Sequence, residues 1–165
     1  MMAMYDDGRQ TPLRRVLRWL SRPMLWYLER QTKSRDAQKV ADGYRLALDE
    51  AVQNSGIDGF RAVVARDLLA KQLEAMDRYS EALPLRRVQF ELMSERKGED
   101  HPDTLVSGNV LAMDLIGTGE FEEARTLLLS LFDLQSAQGT LGSERGLYTV
   151  NLIDQINQYR SKQPE

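Results

Sequence analysis

The chain has no cysteine, which removes disulfides, thiolate-held metals and cysteine nucleophiles from consideration. A single histidine, His101, leaves no second imidazole with which to build a metal centre. There is no HExxH, no Gly-x-Ser-x-Gly and no phosphate-cradling glycine loop. Paired carboxylates such as Glu122 and Glu123 are adjacent on a predicted helix, so they point in different directions, as solvated charges do. The expectation is a protein that is not an enzyme and uses no cofactor, metal or small-molecule substrate. Long apolar runs are missing as well: none approaches the ~20 residues that span a bilayer. Residues 1–8 lack the basic-then-apolar order of a secretion signal, so the chain reads as cytoplasmic. Runs of β-branched and aromatic residues are scarce, while Leu, Ala, Glu, Arg and Gln are abundant; this composition favours helices and points to an all-α protein.

The 165 residues suffice for one domain of ordinary size. A net charge of −3 conceals an asymmetry: residues 1–35 carry +5 and the remainder −8. A basic arm on an acidic body is a statement about partners rather than fold.

The body repeats itself. Residues 61–83 (RAVVARDLLAKQLEAMDRYSEAL) and 103–125 (DTLVSGNVLAMDLIGTGEFEEAR) match at a shift of 42, with Leu69, Ala70, Leu73, Tyr79, Glu81 and Ala82 recurring as Leu111, Ala112, Leu115, Phe121, Glu123 and Ala124. One further step takes Leu105 to Leu147 and Asn109 to Asn151. Apolar residues fall at helical spacing within a unit, Val64, Leu68, Leu69 and Leu73 on one segment and Tyr79, Leu83, Val88 and Leu92 on the next, so each unit reads as a helix hairpin. Gly117-Thr118-Gly119 supplies the break between the helices of the second unit. Ala82 and Ala124 are small where helices approach closely, and Pro84 stands about a turn into its helix, where its missing N–H costs least. A lone hairpin cannot bury its apolar face, so neighbouring units are expected to stack.

RYSEALPL at residues 78–85, GEDHPDT at residues 98–104, and the spacing from His101 through Asn109, Leu111, Ala112 and Gly119 to Phe121 carry a resemblance. Over residues 60–160 the chain resembles tetratricopeptide (TPR) repeats, specifically the 42-residue repeats of the kinesin light chain type. The resemblance implies a right-handed α-solenoid of stacked antiparallel hairpins, with units at about 60–97 and 102–138, a terminal half-unit at 143–160, and a flexible tail at 161–165. Residues 36–56 align with the second helix of a degenerate earlier unit whose first helix would come from residues 12–33. LGSERG at 141–146 replaces the HPD element of the third unit, and Arg86 stands where the family usually has an aromatic.

The resemblance also implies a concave face, lined by the first helices of successive hairpins, that holds a peptide or partner protein. Carried over by position, that face presents the rows Val64, Val106 and Tyr148; Asp67, Asn109 and Asn151; and Lys71, Met113 and Gln155. A side-chain amide both donates and accepts, so Asn109 and Asn151 are suited to pairing with the backbone of an extended ligand; the alternative is that they are polar residues on solvated helix faces. No Lys/Arg pair is placed to clamp a terminal carboxylate. The function expected is that of an adaptor or scaffold.

After ten residues read as flexible, the segment 11–35 supports a different function. Thr11 and Pro12 can open an amphipathic helix with Leu13, Val16, Leu17 and Leu20 opposite Arg14, Arg15, Arg18 and Arg22, and Pro23 is expected to break or kink it. Such an arm either caps the first hairpin or binds an anionic membrane surface, a nucleic acid or an acidic partner. The terminal helix, with Leu147, Leu152, Ile153 and Ile156 read as inward and Asn151, Asp154, Gln155, Asn157 and Gln158 as outward, suits the end of a stack or a homodimer contact. His101, in GEDHPDTL, reads as a capping or linker residue between hairpins.

Overall fold

Residues 24–42 contain no glycine or proline, and nothing there stops a helix once begun. In a computed structural model, which describes the backbone of residues 22–161 and the side chains of 33–161, α1 accordingly runs unbroken over Arg22–Ser55, with Pro23 in its first turn. The degenerate hairpin expected at 12–56 is thus replaced, from residue 22 on, by one continuous helix. The proposed helix from Thr11 lies outside the described residues.

Two compact units divide the chain, residues 1–39 and 40–165. The described part of the first is the amino-terminal half of α1, where Lys39 lies 3.9 Å from Asp36 in an exposed i,i+3 pair. The second contains the rest of α1 and five further helices: α2 (Phe60–Glu74), α3 (Tyr79–Lys97), α4 (Pro102–Thr118), α5 (Phe121–Ala137) and α6 (Glu144–Ser161). No strand occurs among the described residues. Short turns join consecutive helices, which therefore pack as hairpins α2–α3 and α4–α5 with α6 against α5 and α4.

The turns show why the sequence folds here. Gly98 ends α3 at φ +93° and Gly119 ends α4 in the left-handed region at φ +84°, conformations that cost glycine little. The position 42 residues before Gly119 is Asp77, which takes φ +58°; Asp is one of the few side-chain residues that tolerates it. His101 caps α4, its Nδ1 accepting from the Asp103 N–H at 3.1 Å, with Pro102 in the first turn. The histidine thus serves as the joint between hairpins.

Side-chain contacts repeat along with the sequence. Arg45 bonds to Glu81 at 3.4 Å, and the equivalents one repeat later, Arg87 and Glu123, pair with Nη2 2.8 Å from Oε2. Arg96 reaches Asp58, and at the same shift Gln138 Nε2 donates to the Asp100 carbonyl at 2.7 Å. The carboxyl-terminal half of α1 therefore occupies the place of a second helix, as its register suggests. These exposed contacts add little stability individually. The core does more: Ala41, Leu69, Ala70, Leu73 and Ala82 form one buried cluster, and Leu83, Leu105, Leu111, Ala112, Leu115, Ala124, Leu128, Leu131, Leu152 and Ile156 another. Ala82 and Ala124 are fully buried, and the equivalent positions Ala62, Thr104 and Gly146 are all buried where a first helix begins. Leu147, read as inward, is instead 53 % exposed, whereas its equivalent Leu105 is 4 % exposed: α6 packs on α4, and among the described residues no further helix follows to pack on α6.

A Cβ on Gly146 would lie 2.4 Å from the Leu141 carbonyl oxygen and 2.5 Å from its Cα, whereas one on helical Gly43 meets nothing within 4 Å. Gly146→Ala is therefore expected to destabilise by about 1–3 kcal/mol through backbone displacement, and Gly43→Ala to stabilise by about 0.5–1 kcal/mol. Urea unfolding of the two variants checks that one substitution has opposite signs at the two sites.

Candidate functional site

The first helices of the hairpins, α2, α4 and α6, carry most of the exposed apolar surface. Phe60, Val64 and Leu68 on α2, Val106 and Met113 on α4, and Leu147, Tyr148 and Tyr159 on α6 are exposed, against Leu129 alone on α3 and α5. Val64, Val106 and Tyr148, one repeat apart, are 40 %, 39 % and 41 % exposed; this equality is the repeat expressed as surface. Tyr148 also donates its hydroxyl to the Met113 sulfur, which links the rows across α4 and α6.

Hollows follow this strip. One of about 410 Å³ includes Phe60, Val64 and Leu68, facing Tyr44 and Ala51 of α1. A second, about 450 Å³, is lined by Val106, Asn109, Val110, Glu144, Arg145 and Tyr148, and a third, about 420 Å³, includes Tyr79, Met113, Gly117, Asn151 and Gln155. A larger hollow of about 700 Å³ lies away from them at Gly119–Glu123 with Tyr159 and Arg160. Its acids are already paired, Glu120 and Glu123 with Arg87 and Glu122 with Arg160, and Tyr159 stacks on Phe121, so it offers few uncommitted groups.

The asparagine row divides. Asn151 is exposed, as are Lys71 and Gln155, and it can meet a ligand. Asn109 is only 3 % exposed: its Nδ2 donates to Thr149 Oγ1 at 2.9 Å, and its Oδ1 lies 3.0 Å from that hydroxyl. The amide expected to read a ligand backbone is instead spent on holding α4 against α6. Position carried over from the repeat resemblance placed Asn109 on the open face, and the close approach of Thr149 covers it.

Asp67, first in that row, belongs to an ionic cluster that sequence reasoning did not reveal. Arg86 of α3, 5 % exposed, donates Nε to Glu74 Oε1 at 2.6 Å and Nη1 to Asp67 Oδ1 at 2.7 Å, and Lys71 Nζ donates to Asp67 Oδ2 at 2.8 Å. Burial works to raise the Asp67 carboxyl, but the hydrogen bonds from Lys71 and Arg86 outweigh it and hold the group below the usual carboxylate range. The signal available in the sequence was the charged residue at Arg86, where the neighbouring units have Tyr44 and Leu128. Arg66 is a second buried cation, 2 % exposed; it donates to the Ile57 carbonyl at 2.6 Å and so secures the turn between α1 and α2. Burial lowers its affinity for the proton, yet a guanidinium stays charged at neutral pH.

Of the basic arm, Arg14, Arg15 and Arg18 lie outside the described residues, and Arg22 is described only as the first residue of α1. Among the described residues no group of three or more His, Asp or Glu is placed to hold a metal ion, and no helix is long and apolar enough to cross a membrane.

No protein-family model matches the sequence, and no curated protein matches it either. Solved structures do match. The crystal structure of nearly identical TPR-like repeats in a candidate kinesin light chain from Podosopora anserina aligns with a TM-score of 0.56 at 17% identity, covering 83% of this chain and 73% of that one. A single-substitution variant of the same protein aligns with a TM-score of 0.57 at the same identity and coverage. The fold is that of TPR-like helical repeats.

The division of the asparagine row has a measurable consequence. Asn109→Ala is expected to cost about 1–3 kcal/mol, because a buried hydrogen-bonded pair is broken. Asn151→Ala should stay within about 0.5 kcal/mol of wild type. Denaturant unfolding of the two variants distinguishes a supporting amide from an exposed one.

Proposed function

We propose that the protein is a non-catalytic cytoplasmic adaptor that binds a peptide or partner protein along the strip formed by α2, α4 and α6. TPR-like folds commonly mediate protein–protein interaction, but such a fold hosts many roles, and the reading rests on the site. The observation that carries it is the matched exposure of Val64, Val106 and Tyr148 on successive first helices, while the helices α3 and α5 expose almost no large apolar side chain. Exposed apolar side chains recurring at one repeat position support reading these faces as an interaction surface.

In this reading Val64, Val106, Met113 and Tyr148 supply apolar contact. Asn151 and Gln155 supply adaptable hydrogen bonds at one end of the strip, and Lys71 supplies a charge at the other. Asp67 is tied to Arg86 and Lys71 and shapes the surface, and Asn109 supports it from beneath. The hollows beside Val106 and Met113 are open clefts rather than enclosed cavities, which suits a segment laid across the repeats better than a small molecule buried in one of them.

Val106→Arg combined with Tyr148→Ala changes two half-exposed positions, so helicity by circular dichroism should be preserved. Capture of the native partner from cells should fall by about tenfold or more, as loss of a central apolar contact does. Undiminished capture by the folded double variant would remove the strip from consideration.

A further inference from the structure

We infer that Asp114 is a proton-binding site in the seam between hairpin α2–α3 and helix α4, and that loss of its proton loosens that seam. The side chain is 1 % exposed, and its Oδ2 has no hydrogen-bond partner. The charges that act on it are Glu74 of α2 and Arg86 of α3; among the described residues no charged group of α5 or α6, the other helices packed on α4, acts on it. Arg86 does not serve as its counter-ion, because that guanidinium is already bonded to Glu74 and Asp67, and Asp67 is shared with Lys71. Two cations and two anions balance without Asp114. A third carboxylate, buried beside them with no donor for Oδ2, is held most cheaply as the neutral acid.

The second repeat shows that packing does not demand an acid here. One repeat later, Arg86, Glu74 and Asp114 become Leu128, Ile116 and Ile156, which belong to or pack against one apolar cluster. The first repeat carries an ionic layer where the second carries a hydrocarbon one. Burial, with help from the charge of Glu74 and against that of Arg86, pushes the Asp114 carboxyl up to about 7. The ionisation therefore falls near neutral pH, and it places a negative charge on α4 beside the one on α2.

The sign of the linkage follows. An acid whose folded-state value lies above its unfolded value, here about 7 against 3.8, binds a proton in the native chain that the unfolded chain has released. Stability from this group is full below the unfolded value and is lost as pH rises toward the folded one. Wild-type protein should lose about 5 °C of melting temperature between pH 5 and pH 8. Asp114→Asn, tested like the wild type in a His101→Gln background that removes the chain's single imidazole, should be flat over that interval and the more stable of the two at pH 8. The same pH dependence in both proteins would overturn the proposal. If Asp114→Asn does not fold, the side-chain carboxyl carbon of Asp114, followed by NMR in the otherwise unaltered chain, decides the matter. Titration near neutrality supports the site, and titration complete below about pH 5, as for an ordinary aspartate, refutes it.

Discussion

A two-helix hairpin has too little apolar surface to bury against itself, so each unit depends on its neighbour for a core. This constraint accounts for most of the second unit. Ala82 and Ala124 are small because helices pass closely there, and Ala62, Thr104 and Gly146 are small or compact because each first helix begins under preceding structure. Leu105, Leu115, Leu128, Leu152 and Ile156 come from three different helices and bury one another. The half of α1 after residue 39 enters the same scheme, with Ala41 in the cluster of Leu69 and Leu73. Stacking also leaves one side of each first helix uncovered, and the strip proposed for partner binding consists of those sides.

Within that frame the repeats fill one layer in two chemically opposite ways. Arg86 with Asp67 and Glu74 occupies in the first unit what Leu128 with Asn109 and Ile116 occupies in the second. A buried ion pair is weak evidence for stability, since the desolvation of its members offsets much of their attraction. The uncharged layer asks nothing of pH, whereas the ionic one admits a third carboxyl, Asp114, whose charge it cannot balance. The difference between the layers is chemical rather than architectural, because both keep the same helix packing.

Much of the fold was legible in the residues. The 42-residue shift, the turn glycines and the HPD element located the hairpins, and His101 proved to be the cap that its setting suggested. The row Val64, Val106 and Tyr148 was legible too, since identical register implies identical exposure when units stack regularly. Asn109 was not: its neighbour Thr149 is 40 residues away in the chain, and no periodicity reports a hydrogen bond between two specific side chains. Leu147 was misplaced for a related reason. Helical spacing divides a helix into faces, but the width of the buried face depends on how many neighbours the helix has.

The first unit shows the limit from the other side. Family register called for two helices before residue 56, yet residues 24–42 offer neither a glycine nor a proline to end a helix, and from residue 22 a single helix runs through. Local chemistry therefore determined, from the sequence alone, where helices begin and end, that they pair, and which positions are equivalent. These are short-range matters of backbone torsion, capping and repeat spacing. Only the tertiary structure decided which equivalent residues are covered, which charges share a partner, and that Asp114 lacks one. Those outcomes depend on distances between side chains far apart in the chain, which are set when the hairpins close on one another.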